Sequence, residues 1–331
     1  MKHKLATLIA TLVIANYAQA QQSWHSVSSH VDFVQQSEKL RFYDSNQALI
    51  QGEKCALLVD APGEFSQTEA FVTQLKAKLT VPLCYLVASH AHDDHLLGLA
   101  MVQQQFPDAQ LVVHEHLGAS FHRAHEQLNQ RLDGFAKSIA LSEQRMDKLP
   151  EPEQAPWQEK INRAQIRLKQ WQSLKFTSPQ LVVAQPQTLD LGNLSAQVMP
   201  FAAHTDGDLA VLVVQDKVLV GADIVDTLPY PGEGNFNVWI KTLADFAALP
   251  VEAVLPGHGE LLQRDDLHIP EKWLKAIYTH VQANPSMDLA ALVESFPKDF
   301  EPKEEGLTKR AYAMFLEAGI KRAKQLVDKS E

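Results

Sequence analysis

The run Ser89-His90-Ala91-His92-Asp93-Asp94-His95 constrains this chain more than any other segment. It follows directly on residues 83–89, a continuous apolar stretch fit for a buried strand. Extended backbone sends alternate side chains to the same side, so His90 and His92 share a face. Asp94 and His95 then turn into the next helical segment and aim a carboxylate and a third imidazole near the same place. Three histidines and two aspartates within six residues are hard to explain as a solvated loop. Imidazole and carboxylate are borderline-to-hard donors that suit zinc, iron or manganese. A strand end built to hold a cation is the reading that fits.

The rest of the chain supplies a frame for such a strand. Short alternating segments at 31–34, 40–43, 48–51 and 55–60 read as a meander of strands, with Gly52-Glu53 as one turn and Pro62-Gly63 as its end. Residues 69–79 and 96–106 have helical spacing, and 111–114 is a further strand. Strands alternating with helices predict a layered α/β architecture. From 117 to 176 the composition changes to Gln, Glu, Lys, Arg and Ala with apolar residues three and four apart. Leu149-Pro150-Glu151-Pro152 interrupts it, so two helices joined by a proline elbow are expected as an insertion. Trp157, Trp171 and Phe176 in that insertion suit packing between its helices better than a pocket. Strands resume at 181–183, 188–191, 196–199, 209–214 and 218–221, with Gln215-Asp216-Lys217 as a hairpin turn. Residues 239–248 read as a helix and 253–255 as a short buried strand. Residues 263–331 form a helical extension with a break around Pro302.

Charge and cysteine content narrow the partners and the compartment. Acidic and basic residues are mixed, the net charge is −10, and no basic stripe exists to neutralise phosphates. Nucleic acid is therefore excluded as a partner, and a small molecule is expected. Lys2 and Lys4, an apolar run over 5–15 and the small residues of Ala18-Gln19-Ala20 form a signal-peptide pattern over residues 1–20. The run is too short to span a bilayer. Cleavage after Ala20 would leave a periplasmic or secreted protein with no membrane attachment. Cys55 and Cys84 each sit near the start of an apolar run. They pair in an oxidising compartment, or pack as reduced core residues elsewhere.

Three further polar positions stand at predicted strand ends, where sites of α/β sheets form. His204 heads His204-Thr205-Asp206-Gly207-Asp208, Asp223 ends Val218-Leu219-Val220-Gly221-Ala222, and His258 sits in Pro256-Gly257-His258-Gly259. Taken in order with the first motif, the set resembles the metallo-β-lactamase superfamily. The pattern is H-x-H-x-D-H, a later histidine, a bridging aspartate and a late histidine. The likeness covers residues 30 to 262 and places the catalytic domain over 21–262, interrupted by the helical insertion. It implies a four-layer αβ/βα sandwich with two metal ions, zinc before iron or manganese, between the two sheet edges. It also implies that His90, His92 and His204 hold one ion, that Asp94, His95 and His258 hold the other, and that Asp223 bridges them. Asp94 would also orient a bridging hydroxide or handle its proton. The stretch 46–60 resembles the family's early hairpin ending in an aspartate. His114, His116, His122 and His125 fall outside the set.

The implied activity is hydrolysis of an ester, lactone, thioester or amide. Departures from the pattern bear on substrate. Drug-hydrolysing members with three histidines on the first metal carry cysteine where this chain has Asp223, and often a lysine where it has Asp226. A carboxylate at 226, with no Lys or Arg between 221 and 240, is expected to repel a β-lactam's own carboxylate. Gly234-Asn235 stands where those enzymes keep a Gly-Asn facing the developing oxyanion, and Asn235 is equally readable as a turn residue. A glyoxalase-type thioesterase is the nearest alternative, and an iron-dependent persulfide-type oxidoreductase is the alternative of another class. His92 and the late Pro256-Gly257-His258-Gly259 favour two metals and hydrolysis.

Overall fold

The computed structural model describes residues 22–303 and 305–329, so the signal-peptide pattern lies outside the described residues. The first sheet is built from β1 (Ser23–Ser26), β2 (Val31–Gln35), β3 (Gln47–Gln51), β4 (Ala56–Val59), β5 (Leu83–Val87), β6 (Gln110–His114) and β7 (Leu181–Val183), in that spatial order. The meander is antiparallel as far as β4, and β4 to β7 are parallel. The second sheet takes β8 (Gln187–Asp190), β9 (Ser195–Phe201), β10 (Asp208–Val213), β11 (Val218–Ala222), β12 (Ala253–Pro256) and β13 (Leu262–Gln263), in reverse order across the sheet.

Period-two alternation builds the layers. Leu57, Val59, Val87 and Val112 of the first sheet share one buried cluster with Val198, Leu209, Val211 and Val220 of the second. That cluster is the seam between the sheets. Their neighbours Leu58, Leu86, Leu111 and Val113 face the opposite way and pack against helices. Those helices are α1 (Phe65–Lys78), α2 (Asp93–Leu96), α3 (Leu99–Gln105), α4 (Glu115–Ala119), α5 (His122–Met146) and α6 (Glu151–Trp171). On the second sheet Ala210, Leu212 and Leu219 pack outward against α7 (Phe236–Ala247), α8 (His268–Ala283), α9 (Leu289–Glu294) and α10 (Leu307–Asp328). The result is the expected four-layer αβ/βα sandwich. Residues 263 onward are the outer wall of its second half, since Trp273, Ile277, Leu316 and Ile320 share one cluster with Trp239 and Leu243 of α7.

Two local expectations are corrected. Residues 40–43 were expected to be a strand. They instead follow a short 3-10 turn, Glu38–Leu40, capped by Ser37 and anchored by buried Leu40. The capping side chain offers the backbone a partner that competes with a ladder. The helix expected from residue 69 begins at Phe65, because Glu64 accepts from the Ser66 amide and fixes the start one turn earlier.

The insertion is the two-helix hairpin expected, α5 and α6 with the elbow at Pro150. Its root belongs to the main core: Ala124, Leu128, Leu132 and Trp171 lie in the cluster of the first sheet. Trp171 also donates to Glu69 Oε1 at 2.7 Å and packs edge-on to Phe65. Only the tip, with Ile139, Met146 and Ile161, has a cluster of its own. Cys55 and Cys84 are joined in a disulfide at the starts of the parallel neighbours β4 and β5, which settles their two open readings.

Candidate metal centre

Each ligand candidate stands at the same end of the sandwich because each follows a strand that ends there. The chain leaves β5 at Val87, runs through Ser89 to His92, and enters α2 with Asp94 and His95 in its first turn. His204 lies in the connection from β9 to β10. Asp208 ties that loop down by accepting from the amides of Ala203, His204 and Thr205 and from the Thr205 hydroxyl. At the end of β11, Ala222 takes the left-handed φ of 46°, a bend that delivers Asp223 into the cleft. His258 follows β12 across Gly257, where a Cβ would sit 1.9 Å from Asp223 Oδ1. Only glycine lets that backbone pass so close to the carboxylate.

The seven side chains converge. Ligand atoms of His90, His92, His204 and Asp223 lie within 4.8 Å of one another, and so do those of Asp94, His95 and His258. Asp223 sits between the two groups. Its carboxylate oxygens lie 2.9 Å from His95 Nε2, 3.5 Å from His204 Nε2, 3.6 Å from His258 Nε2 and 3.9 Å from His90 Nε2. Asp94 Oδ2 lies 3.3 Å from His258 Nε2, and His204 Nε2 lies 3.3 Å from His92 Nδ1. Yet His90 Nε2, His95 Nε2 and Asp223 Oδ1 are buried and find no aligned hydrogen-bond partner among the described residues. Buried polar atoms that approach each other without bonding are aimed at a common point. Nitrogen and oxygen donors at zinc bond lengths of about 2.0–2.2 Å span such a spread around one ion. The residues fit metal ions.

Outer partners orient the ligands. Asp60 Oδ2 accepts from His95 Nδ1 at 2.7 Å, while its two oxygens also take the amide and hydroxyl of Ser89. Asp60 itself holds a left-handed φ of 62°. Glu233 Oε2 lies 3.6 Å from His92 Nε2, the nitrogen not facing His204. Carboxylates behind histidine ligands fix ring orientation and tautomer.

The electrostatics divide the histidines. Burial, then the charge of His95, holds His90 well below the imidazole range, and burial takes His204 down to about 3. Burial opposes charge on His95 and His258 too, but Asp223 with its neighbouring carboxylates outweighs it. His95 is held well above its ordinary value and His258 is lifted to about 10. Asp94 and Asp223 are in turn held low, against their burial, by His95 and His258. Opposed charges gathered in this way mark a candidate functional site.

A cavity of about 230 Å³ opens on the centre. His92, Asp94, Asp223 and His258 line its floor with Asp93 and Asp226 beside them, and Arg41, Phe42, Arg131, Tyr230 and Phe315 form its rim. Asp226 lines the cavity but is not an exposed anion there. It is 2% exposed, its Oδ1 accepts from the His258 amide at 2.9 Å, and burial followed by Asp223 pushes its carboxyl up to about 7. Nor does the site lack cations, because Arg41 and Arg131 reach the rim from distant parts of the chain. Asn235 caps α7, its Oδ1 accepting from the Val238 amide at 3.4 Å. It is not among the residues lining the cavity. His114 caps α4 through its Nδ1, and His125 packs on Phe121 and Phe176, outside the centre. The rim residues were missed in the sequence because no local pattern marks them.

The sequence profile of the metallo-beta-lactamase superfamily matches residues 40–258. No curated protein matches the chain. Among solved structures, the chain is similar to a metallo-beta-lactamase from Pontibacter korlensis, with 19% identity and a TM-score of 0.52 over 77% of this chain and 99% of that one. It is also similar to a stereoselective inverting sec-alkylsulfatase from Pseudomonas sp., with 14% identity and a TM-score of 0.60 over 91% of this chain and 50% of that one. At these identities the likeness shows the fold. With the profile spanning most of the sandwich and a histidine–aspartate cluster able to bind metal ions at its edge, the chain belongs to the metallo-β-lactamase superfamily.

Proposed function

We propose that this protein is an exported two-metal hydrolase, zinc-dependent before iron or manganese, that opens an ester, lactone, thioester or amide of a small molecule. One observation carries the reading: two ligand groups, each complete, share Asp223 between them. Bound there, two divalent cations would polarise the scissile carbonyl and acidify a water to near neutrality. His90, His92 and His204 would hold one, Asp94, His95 and His258 the other. Asp94 is the ligand carboxylate with the most exposure, 21%, and so is placed to orient the attacking water and take its proton. No serine, cysteine, threonine or lysine lines the cavity, and Ser89 Oγ is committed to Asp60. This supports attack by water rather than by a side chain. The pattern over residues 1–20 and the Cys55–Cys84 bridge both support an oxidising, extracytoplasmic compartment.

Metal analysis of the purified protein should give about two ions per chain, and His258→Ala should lose mainly the second. A panel of esters, lactones, thioesters, β-lactams and an alkyl sulfate then finds the scissile bond. A single tightly held iron with no hydrolysis of any panel member would move the assignment to the oxidoreductase branch.

A further inference from the structure

We propose that Arg41 and Arg131 form an anion clamp across the rim of the metal cavity, selecting substrates that carry a carboxylate beside an apolar group seated on Phe42, Tyr230 and Phe315. The substrate class rests on the hydrolase reading above, whereas the clamp as a binding device does not.

The two arginines are held in place but not used up. Arg41 follows the 3-10 turn before β3, and its Nη2 donates to the carbonyl of Leu228 at 3.0 Å. It makes no ion pair with a described carboxylate, and its buried Nε finds no acceptor among the described residues. A buried guanidinium donor left without an acceptor is costly, and a ligand anion would supply one. Arg131, on α5, donates from Nη2 to Asp93 Oδ2 at 3.1 Å, and the rest of its fork has no bond to a described residue. Asp93 thereby fixes the guanidinium at the rim. Asp226 lines the same cavity, with its Oδ1 engaged by the His258 amide, and forms no ion pair with Arg41. Planar forks with free N–H groups match a carboxylate in a way that a point charge does not.

The apolar side of the cavity is equally specific. Phe315 packs edge-on against both Tyr230, at 5.3 Å between ring centres, and Phe42, at 6.4 Å. These rings come from three distant segments, and Phe42 is the immediate neighbour of Arg41. A carboxylate at the arginines and an aliphatic or aromatic group on this wall would place a carbonyl between them, over the ligand floor.

The test uses the full metal-loaded protein and the monoethyl and diethyl esters of phenylsuccinate. The wild type should favour the monoester, and Arg41→Gln should lower its kcat/KM about tenfold more than that of the diester, mainly through KM. Arg41→Lys should recover part of the loss, because it restores the charge without the fork. Equal losses on both esters would overturn the clamp. If neither ester is cleaved, the hydrolase reading is in trouble but the clamp is still tested by calorimetry with phenylsuccinate itself. Arg41→Gln and Arg131→Gln should each weaken that binding about tenfold and leave its neutral diamide alone. Unchanged affinity in either variant, or no phenylsuccinate binding to the wild type, would also overturn it. Arg131→Gln, on a surface helix, covers the case in which Arg41→Gln fails to fold.

Discussion

Asp60 accepts a 2.7 Å hydrogen bond from Nδ1 of His95 and so determines that Nε2 of that ring faces Asp223. Asp60→Asn is the informative variant, since asparagine tolerates the left-handed backbone that Asp60 adopts. It keeps the shape but weakens the grip on the His95 tautomer. Affinity for the second metal should fall by about 10- to 100-fold, with the first metal less affected. A chelator titration followed by metal analysis reads both. Loss of both ions together would mean that Asp60 supports the fold rather than the ring.

The last helix braces the loop over residues 230–234. Gly319 of α10 lies where a Cβ would come within 2.5 Å of Pro231, and Arg322 Nε donates to Gly234 O at 2.9 Å. Between those contacts lie the residues that carry Glu233 and follow Tyr230. Gly319→Leu should push this loop outward, raise KM several-fold and cost about 1–3 kcal/mol of stability by overpacking. Metal content should change less than KM, because within residues 231–234 only Glu233, 3.6 Å from His92 Nε2, reaches a candidate ligand. A variant with altered metal content and normal KM would contradict the brace.

The residues of the histidine–aspartate cluster were legible because their information is local. A histidine or aspartate at a strand end says where it is, and four such segments in order say what they build. The layer structure was legible for the same reason, as the unbroken apolar runs 56–59 and 209–213 mark strands buried on both faces. What was not legible depends on chain segments meeting. Arg41 and Arg131 are ninety residues apart, and nothing near either position indicates a shared cavity. The burial of Asp226 beneath the His258 amide likewise depends on segments that meet only in the fold. Residues 40–43 alternate like a strand, but the Ser37 cap turns the preceding residues into a 3-10 turn.

The insertion is not dispensable at its root. Trp171 is 7% exposed, packs on Phe65 and Phe135 and bonds Glu69, so Trp171→Ala should cost about 3–5 kcal/mol. Replacing residues 140–160 by a short linker should be far milder, since the tip packs mainly on itself. Urea unfolding of the two variants makes the comparison. Equal destabilisation would show that tip and root fold as one unit.

The disulfide closes a separation of 29 residues at the end of β4 and β5 away from the metals. Loop-closure entropy gives it about 3–4 kcal/mol on the chain-entropy account. The double variant Cys55→Ser, Cys84→Ser should therefore lower Tm by several degrees and leave metal content and KM intact. A fall in metal content at a temperature where the variant remains folded would place the bridge in the site's geometry instead.

Asp216 offers a test of stability that leaves the site alone. It sits in the turn between β10 and β11, at the opposite end of β11 from Asp223, and holds the β1–β2 turn of the other sheet. Its carboxylate accepts from the Ser28 hydroxyl and lies 3.0 Å from His30 Nδ1, so it pins the two sheets together. Burial is the largest single influence and opposes the charged form, but the Ser28 and His30 bonds together outweigh it and hold the carboxyl below its ordinary value. A carboxyl depressed on folding contributes stability above its unfolded pKa of about 3.9, and that contribution is lost as the pH falls through the folded value. Asp216→Asn should thus be less stable than wild type by about 1 kcal/mol near pH 7, after allowance for solvent screening. The gap should hold from pH 7 down to about pH 5 and close below about pH 4. Denaturant melts of both proteins across that range give the difference directly. A gap that persists unchanged at pH 3 would mean the side chain acts through its shape and hydrogen bonds, with its charge adding nothing.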